Sequence, residues 1–159
     1  MSATYDALEP LRDLNASLDI LTTTFAPIYT ECWLKDKAPS RGDPPFDMNV
    51  GAFAQMWFSK AMRIFMAYGD DGKPVGYLLA MSFRPLTHQA SILQIEDWYS
   101  RGDEAVAQGL FDYAQTAAKF IGADEIWVSH SEHEDVPPLK PMWRKRGRTI
   151  IERHVKSDG

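Results

Sequence analysis

The sequence predicts an α+β domain with a mixed sheet, and three consecutive stretches support this prediction. Residues 92–99 form an alternating, largely apolar run that is typical of a strand. From Asp103 onward the apolar residues recur in steps of three and four, as they do in a helix, and Glu125–Val128 is typical of a short buried strand. A strand, a helix and a strand of this total length form a crossover unit, whose two strands lie parallel in one sheet.

The predicted helix of this unit has recognisable ends. Asp103 is a residue type that caps helix starts, and Gly122 tolerates the left-handed conformation that closes many helices. The turn before the helix, Ser100–Arg101–Gly102, is where such units usually hold a ligand, because the free N–H groups of the helix start point there. The predicted apolar side consists of Val106, Leu110, Tyr113 or Ala114, Ala117 and Ile121.

A predicted hairpin precedes the crossover unit and supplies the antiparallel part of the sheet. Its strands are Ile64–Tyr68 and Val75–Phe83, joined by a tight turn at Asp70–Lys73. Asn49 is a suitable cap for a helix that runs through Met62. The other predicted elements are a helix at Ala26–Lys37, a short helix at Leu139–Arg146 that Gly147 ends, and a final strand at Thr149–Val155.

Residues 1–24 do not favour one structure. Leucines at helical spacing run through Ala7–Phe25, but Pro10 interrupts them. The Thr22–Thr24 run weakens a helix, so a strand in part of this segment stays open.

Composition sets the class of protein. A chain of 159 residues that is 45% hydrophobic predicts one globular domain over residues 1–159. The single Cys32 excludes an intramolecular disulfide and the start MSATYDALEP lacks a secretory pattern, so we expect a reducing, cytoplasmic location. No apolar run approaches membrane-spanning length, and a net charge of −5 argues against nucleic-acid binding.

Three segments occur in an order that points to a known family. They are the hairpin FMAYGDDGKPVGYLLA, the strand-to-helix unit LQIEDWYSRGDEAVAQGLFDYAQTAAKFIGADEIWV, and the close PPLKPMWRKRGRTIIER. This ordered set resembles the GNAT acyltransferases, the Gcn5-related N-acetyltransferases, over roughly Phe25 to Val155. It looks closest to GNAT-like proteins that bacteriophages commonly encode, which would make the location the host cytoplasm.

The resemblance implies that acetyl-CoA binds where the two parallel strands part. Backbone groups of Trp98, Tyr99 and Ser100 would pair with the pantetheine arm. The pyrophosphate would lie on the turn and the helix start, where small residues let backbone N–H groups approach phosphate oxygens. The residues expected there are Arg101, Gly102, Ala105 and Ala107.

The turn departs from the family pattern of Arg or Gln, two residues, Gly, one residue, and Gly or Ala. With Arg101 as the basic residue, Glu104 replaces the first glycine, and the alternative register puts Gly102 in the basic position. Asp103 and Glu104 also place two carboxylates beside the expected pyrophosphate, each costing on the order of 1 kcal/mol at a surface dielectric. We therefore expect CoA binding to be impaired.

The resemblance also suggests catalytic residues. Enzymes of this family use a Glu on the central strand as a general base through water, and a Tyr on the later helix as a general acid. Glu96 and Asp97 lie on that strand, and alternation sends them to opposite faces, so one should face the cleft. Trp143 stands where the acid Tyr would fall and cannot give up a proton, which leaves Tyr99 or a water.

Two charged or polar segments have competing interpretations. Residues 140–156 carry seven basic residues and one acid, a charge of +6, which leaves −11 for the rest of a chain whose net charge is −5. This basic segment could hold the 3′-phosphate of CoA, meet an acidic partner, or be a solvated helix end. His130–Asp135 offers ligand types for a metal, but a solvated loop is favoured and no metal is predicted.

Two functions follow from these observations. The first is an acetyl-CoA-dependent N-acetyltransferase that acts on an amine of a small molecule or protein, with Glu96 as base and Tyr99 as acid. The second is a GNAT-like binding protein with weakened cofactor binding that engages another protein, a host protein if the chain is phage-encoded, through the basic segment. Self-association as a homodimer is a further alternative, whereas nucleic acid and membrane are not expected partners.

Overall fold

A seven-stranded mixed sheet runs through the part of the chain that the structure describes, residues 2–39, 42, 46–86, 89–101, 103–131, 144–145 and 148–155. The structure is a computed structural model. The strand order is β1-β2-β3-β4-β5-β7-β6. The strands are β1 (Thr4–Leu8), β2 (Met62–Tyr68), β3 (Pro74–Phe83), β4 (Ile92–Ser100), β5 (Glu125–Ser131), β6 (Arg144–Lys145) and β7 (Arg148–Val155).

The sheet has an antiparallel half and a parallel half. Strands β1 to β4 pair in sequence order, each antiparallel to the next. Strand β5 is parallel both to β4 and to β7, and β6 pairs antiparallel with β7. This confirms the predicted α+β class, the hairpin and the parallel crossover.

Helices flank the sheet on both sides. They are α1 (Leu14–Ile20), α2 (Ala26–Cys32), α3 (Val50–Phe58) and α4 (Glu104–Phe120), and π-helical turns at Leu21–Phe25 and Trp33–Lys37 continue α1 and α2. Within the ranges described above, none of them combines the length and apolarity that crossing a bilayer needs.

The first residues of the chain form a strand rather than the start of a helix. Leucine spacing suggested helix from Ala7, but Thr4–Leu8 pairs along β2, and Pro10 then separates this edge strand from α1. The Thr22–Thr24 run is helical, and the Thr22 and Thr23 hydroxyls donate back to the carbonyl oxygens of Leu18 and Asp19. The strand that the sequence left open in part of Ala7–Phe25 is found at the start of this segment, where Ala7 and Leu8 belong to β1.

Two apolar cores lie on opposite faces of the sheet, and strand alternation separates them. On β2, Phe65 and Ala67 face α4, whereas Ile64 and Met66 face α1, α2 and α3. The α4 side of the first core contributes Val106, Leu110, Phe111, Ala114 and Ala118. The second core is rich in aromatic rings and includes Phe25, Trp57, Tyr77 and Tyr99.

Helix ends fall largely where local sequence predicted them. The Asp103 carboxylate accepts from the Ala105 N–H at 2.9 Å, and Gly122 has a φ of 76° just past α4. Asn49 caps α3 through the Ala52 N–H at 3.1 Å, but this helix ends at Phe58 rather than Met62. It ends early because Met62 belongs to β2, whose ladder with β3 begins at that residue.

The prediction of a helix at Leu139–Arg146 is wrong at its C-terminal end. Arg144–Lys145 forms β6, which pairs with the start of β7, because the chain returns there in a short hairpin. Residues 139–143 and 146–147 lie outside the described residues. The predicted final strand at Thr149–Val155 is confirmed as β7.

We expect Gly76→Ala to lower the free energy of unfolding by about 1–3 kcal/mol, because strand backbones leave no room for a side chain there. An added Cβ would lie 2.7 Å from the Tyr99 carbonyl oxygen. Gly51→Ala, in α3, is the matched control. The nearest atom to an added Cβ would be 4.0 Å away, so this substitution should raise stability by up to about 1 kcal/mol. Urea unfolding of both variants tests this, and equal effects would contradict it.

Candidate functional site

Strands β4 and β5 part from each other after four residue pairs, and this opens a gap in the middle of the sheet. Their parallel pairing runs from Ile92 with Glu125 to Ile95 with Val128. Beyond that point β4 stays with β3 as far as Ser100, and β5 stays with β7 as far as Ser131. In the described residues, β4 therefore has no strand paired on its β5-facing side over residues 96–100.

A β-bulge at Glu96 lies where the gap begins. Leu79 pairs with Asp97 and Ala80 pairs with Ile95, so Glu96 is an extra residue in β4. A bulge bends its strand and increases its twist, which favours the separation of β4 from β5. Glu96 is exposed at this bend.

The bulge also shifts which residues face which core. Leu93 and Ile95 face α4, but past the bulge it is Trp98 that faces α4 and Tyr99 that faces α2. The extra residue shifts the alternation along β4, and the expectation that Glu96 and Asp97 lie on opposite faces stays a prediction. Asp97 lies on the α2 side with Tyr99, as its bond to Tyr77 shows.

Asp97 is tied to a buried tyrosine. The Tyr77 hydroxyl donates to Asp97 Oδ2 at 2.7 Å, and the Trp98 N–H donates to Asp97 Oδ1 at 2.9 Å. Burial raises the pKa of the Tyr77 hydroxyl far above its ordinary value, and the negative charge of Asp97 raises it further. Tyr77 therefore stays protonated and acts as a fixed donor to the carboxylate.

Glu31 of α2 brings together two of the predicted site residues. The Tyr99 hydroxyl donates to Glu31 Oε2 at 2.8 Å. Arg101 donates from Nε to Oε2 at 2.9 Å and from Nη2 to Oε1 at 2.9 Å, which makes a two-pronged ion pair. Both the predicted acid, Tyr99, and the predicted phosphate ligand, Arg101, are thus bound to one carboxylate.

The ion pair shifts the ionisation of both partners. The hydrogen bonds from Arg101 hold the pKa of the Glu31 carboxyl below its ordinary value, and burial opposes this shift only in part. The bond to Glu31 likewise raises the pKa of the Arg101 guanidinium. Glu31 is consequently a carboxylate, and Arg101 a cation, at neutral pH.

The turn between β4 and α4 is held by its own polar groups. The Arg101 N–H donates to the Val75 carbonyl at 3.1 Å, and the Ser100 hydroxyl donates to the Asp103 carbonyl at 3.1 Å. The Ala105 N–H, which would meet a phosphate, donates to the Asp103 carboxylate instead. Asp103 thus occupies an anion position at the helix start.

Trp98 and Ala107, both predicted to contact the cofactor, contact each other. Trp98 Nε1 donates to the Ala107 carbonyl at 3.1 Å, and its indole stacks on Phe111 with ring centroids 5.4 Å apart. Ala107 is buried, and its N–H donates within the helix to the Asp103 carbonyl. The Trp98 indole therefore packs on the α4 side, and its N–H is bound to Asp97.

Aromatic rings cover the α2 side of the site. Tyr29 packs edge-on against both Tyr77 and Phe46, with centroid distances of 5.7 and 5.8 Å. Phe25 contacts Tyr77 at 5.2 Å, and Tyr77 contacts Tyr99 at 6.1 Å. This wall holds the Tyr99 hydroxyl in position against Glu31, because the ring has little room to rotate away.

Some predicted residues lie outside the described residues. These are Gly102 of the turn, residues 132–135 of the polar segment, and residues 140–143 (with Trp143), 146–147 and 156 of the basic segment. Across the described ranges there is no group of three or more His, Cys, Asp or Glu side chains that could hold a metal ion.

Sequence reasoning missed Glu31 and Tyr77. Glu31 is the only charged residue between Ala26 and Leu34 in an otherwise apolar and aromatic helix, and this isolation is a signal that could have drawn attention to it. Tyr77 lies in a buried strand and gave no signal, because its partner Asp97 is brought to the same face only by the bulge.

The comparison with solved structures identifies the fold. No protein-family model matches the chain, and no curated protein matches it in sequence. Among solved structures, a probable acetyltransferase shares 18% identity with a TM-score of 0.59, covering 86% of this chain and 83% of its own. An aminoglycoside acetyltransferase from an uncultured soil metagenomic sample shares 12% identity with a TM-score of 0.60, covering 84% of this chain and 80% of its own.

A third similar structure is a ribosomal-protein-alanine N-acetyltransferase from Brucella melitensis biovar Abortus 2308. It shares 18% identity with a TM-score of 0.58, covering 79% of this chain and 78% of its own. Together with the parted strands β4 and β5, these likenesses define the class: the chain has the fold of the GNAT acetyltransferases.

The site suits the pantetheine arm of acetyl-CoA, but it does not suit the diphosphate. The separation of β4 from β5 beyond Ile95 and Val128 suits the pantetheine arm, a thin chain that could lie beside the strand edge. The diphosphate does not fit the turn as it stands, since Asp103 takes the Ala105 N–H and Glu31 takes Arg101. A diphosphate there would have to displace both carboxylates.

We expect the Glu31–Arg101 pair to contribute less than about 1 kcal/mol to the free energy of unfolding at neutral pH, because both side chains are partly exposed. The pKa of Glu31 is lowered by folding, so its contribution is full above about pH 4.5, its ordinary value, and is lost as pH falls through the lower folded pKa. A double-mutant cycle with Glu31→Gln and Arg101→Gln, followed by urea unfolding from pH 7 to pH 3, measures this. A coupling energy that does not fall with pH would contradict it.

Proposed function

We propose that this protein is an acetyl-CoA-dependent N-acetyltransferase. The observation that carries the proposal is the gap between β4 and β5, whose pairing ends at Ile95 and Val128. Two strands that part in the middle of a sheet leave space between them, which suits a thin chain with amide groups. The acceptor is an amine of a small molecule or of a protein.

Each part of the chain has a role in this proposal. The backbone of Trp98, Tyr99 and Ser100 pairs with the cofactor arm, and the aromatic wall of α2 and β3 bounds the acceptor side. When bound, acetyl-CoA supplies an activated acyl group as a thioester. The chain must then take a proton from the attacking amine, and Glu96 is exposed at the bend where the gap begins.

Tyr99 is the proposed proton donor, and its setting restricts that role. The side chain is only 5% exposed and its hydroxyl donates to Glu31. For Tyr99 to give its proton to a leaving group on the gap side, this hydroxyl must first leave the carboxylate. The α2 helix therefore controls the direction in which the proposed acid points.

We expect Glu96→Gln to lower the rate at saturating substrate about a hundredfold, with the melting temperature little changed, because a solvated base is lost without a packing defect. Release of the CoA thiol across a panel of amines is the measurement. Asp97→Asn is the matched control, since it removes a neighbouring carboxylate that is engaged by Tyr77; an equal loss from this variant would contradict the role of Glu96.

A second candidate function is a GNAT-fold protein that binds a protein partner in place of catalysis. The specific observation in its favour is that Asp103 and Glu31 hold the groups a diphosphate needs. The proposed contact surface is the basic segment 140–156, whose charge of +6 would attract an acidic partner in a chain that is otherwise acidic. If the resemblance to phage-encoded proteins holds, that partner belongs to the host cytoplasm.

Calorimetric titration with CoA and acetyl-CoA distinguishes the two candidates. We expect Asp103→Asn with Glu104→Gln to strengthen CoA binding about tenfold, because two negative charges are removed while the Asn still caps α4. Asp112→Asn, an exposed carboxylate in the middle of the same helix, is the control and should change little. Micromolar binding by the unmodified protein that the double variant leaves unchanged would contradict the effect of the acids. No binding by either would favour the partner-binding function.

A further inference from the structure

The Glu31 carboxylate, on the neighbouring helix α2, binds the guanidinium of Arg101, which is the cation that precedes α4. Arg101 directs two N–H donors at Glu31, at 2.9 Å each, so the edge of its guanidinium is in the geometry that also grips phosphate oxygens. We propose that Glu31 is an internal anion that occupies Arg101 in the free protein and that a phosphate group must displace it before Arg101 can bind that group. The inference rests on the proposed function in so far as the phosphate belongs to CoA.

The position of Arg101 makes it the cation nearest in sequence to the start of α4. Its own N–H is fixed to the Val75 carbonyl, so the backbone at this point cannot move freely with the side chain. The change from Glu31 to a phosphate is therefore a rotation of one flexible side chain, and the turn keeps its shape. Such a change costs little and needs no unfolding.

The strength of the ion pair suits displacement. The Arg101 side chain is 52% exposed and that of Glu31 is 35% exposed, so water reaches both groups. Exposed pairs of this kind are weak, whereas a diphosphate brings more charge and more acceptor oxygens than one carboxylate. A phosphate group can consequently compete for Arg101, at an affinity that Glu31 lowers.

Displacement would also change the acceptor side of the site. Glu31 keeps its bond from the Tyr99 hydroxyl when Arg101 leaves, but it loses the cation that holds its pKa down. Occupation of the turn by phosphate thus alters the carboxylate that Tyr99 faces on α2. We call the contact among Glu31, Arg101 and Tyr99 the latch. The latch links the turn before α4 to the aromatic rings on the α2 side.

Titration with inorganic pyrophosphate tests the latch without the rest of the cofactor. Glu31→Gln removes the charge but keeps an oxygen that can accept from Tyr99, and we expect pyrophosphate to bind this variant about fivefold more tightly than the unmodified protein. Asp19→Asn removes an exposed acid from α1 and controls for net charge, so it should leave the affinity unchanged. Adding Arg101→Gln to Glu31→Gln should abolish the gain.

Calorimetry gives the affinities, and the NMR signal of Arg101 Nε reports whether the guanidinium changes partner. The latch would be overturned if Glu31→Gln bound pyrophosphate no more tightly than Asp19→Asn. A gain in pyrophosphate affinity that persists without Arg101 would also overturn it, as would a lack of pyrophosphate binding by every variant. A parallel titration with CoA judges the proposed function separately. Tighter pyrophosphate binding by Glu31→Gln without CoA binding by any variant would support the latch and reject the cofactor.

Discussion

The parting of β4 from β5 is the constraint on which the rest of the site depends. A sheet gains stability from every paired backbone group, so two adjacent parallel strands that separate leave polar groups that need another partner. The extra residue Glu96 supplies the bend, and each strand keeps the neighbour on its other side, β3 for β4 and β7 for β5. The fold therefore tolerates an opening in its centre without losing either half of the sheet.

The same bend determines which side chains of β4 face α2. By shifting the alternation of β4, it turns Asp97 and Tyr99 towards α2, where Tyr77 and Glu31 meet them. The result is two hydroxyl–carboxylate pairs on one side of the opening, each held by aromatic packing. The charges in this region are therefore fixed by contacts across the sheet as well as by the turn before α4.

Local features of this protein could be predicted from its sequence, and long-range ones could not. Asp103 and Gly122 determine the ends of α4 through contacts within a few residues, so their roles were visible in the sequence. Glu31 was not visible, because its partners Tyr99 and Arg101 lie 68 and 70 residues further along the chain. The side on which Asp97 lies could not be predicted for a related reason: a bulge is defined by the partner strand, and alternation along one strand cannot reveal it.

The edge strand β1 has a consequence for how the chain folds during synthesis. Thr4–Leu8 leaves the ribosome before the other strands of the sheet, yet the strand it pairs with begins at Met62, and the Tyr5 ring packs against Gly109 of α4. This strand must remain without its partner while much of the chain is made, since long-range pairing cannot begin before both segments exist. The helices α1, α2 and α3 are made in that interval, and their local contacts can form first. Completion of the sheet edge is thus a late event, although it uses the earliest residues of the chain.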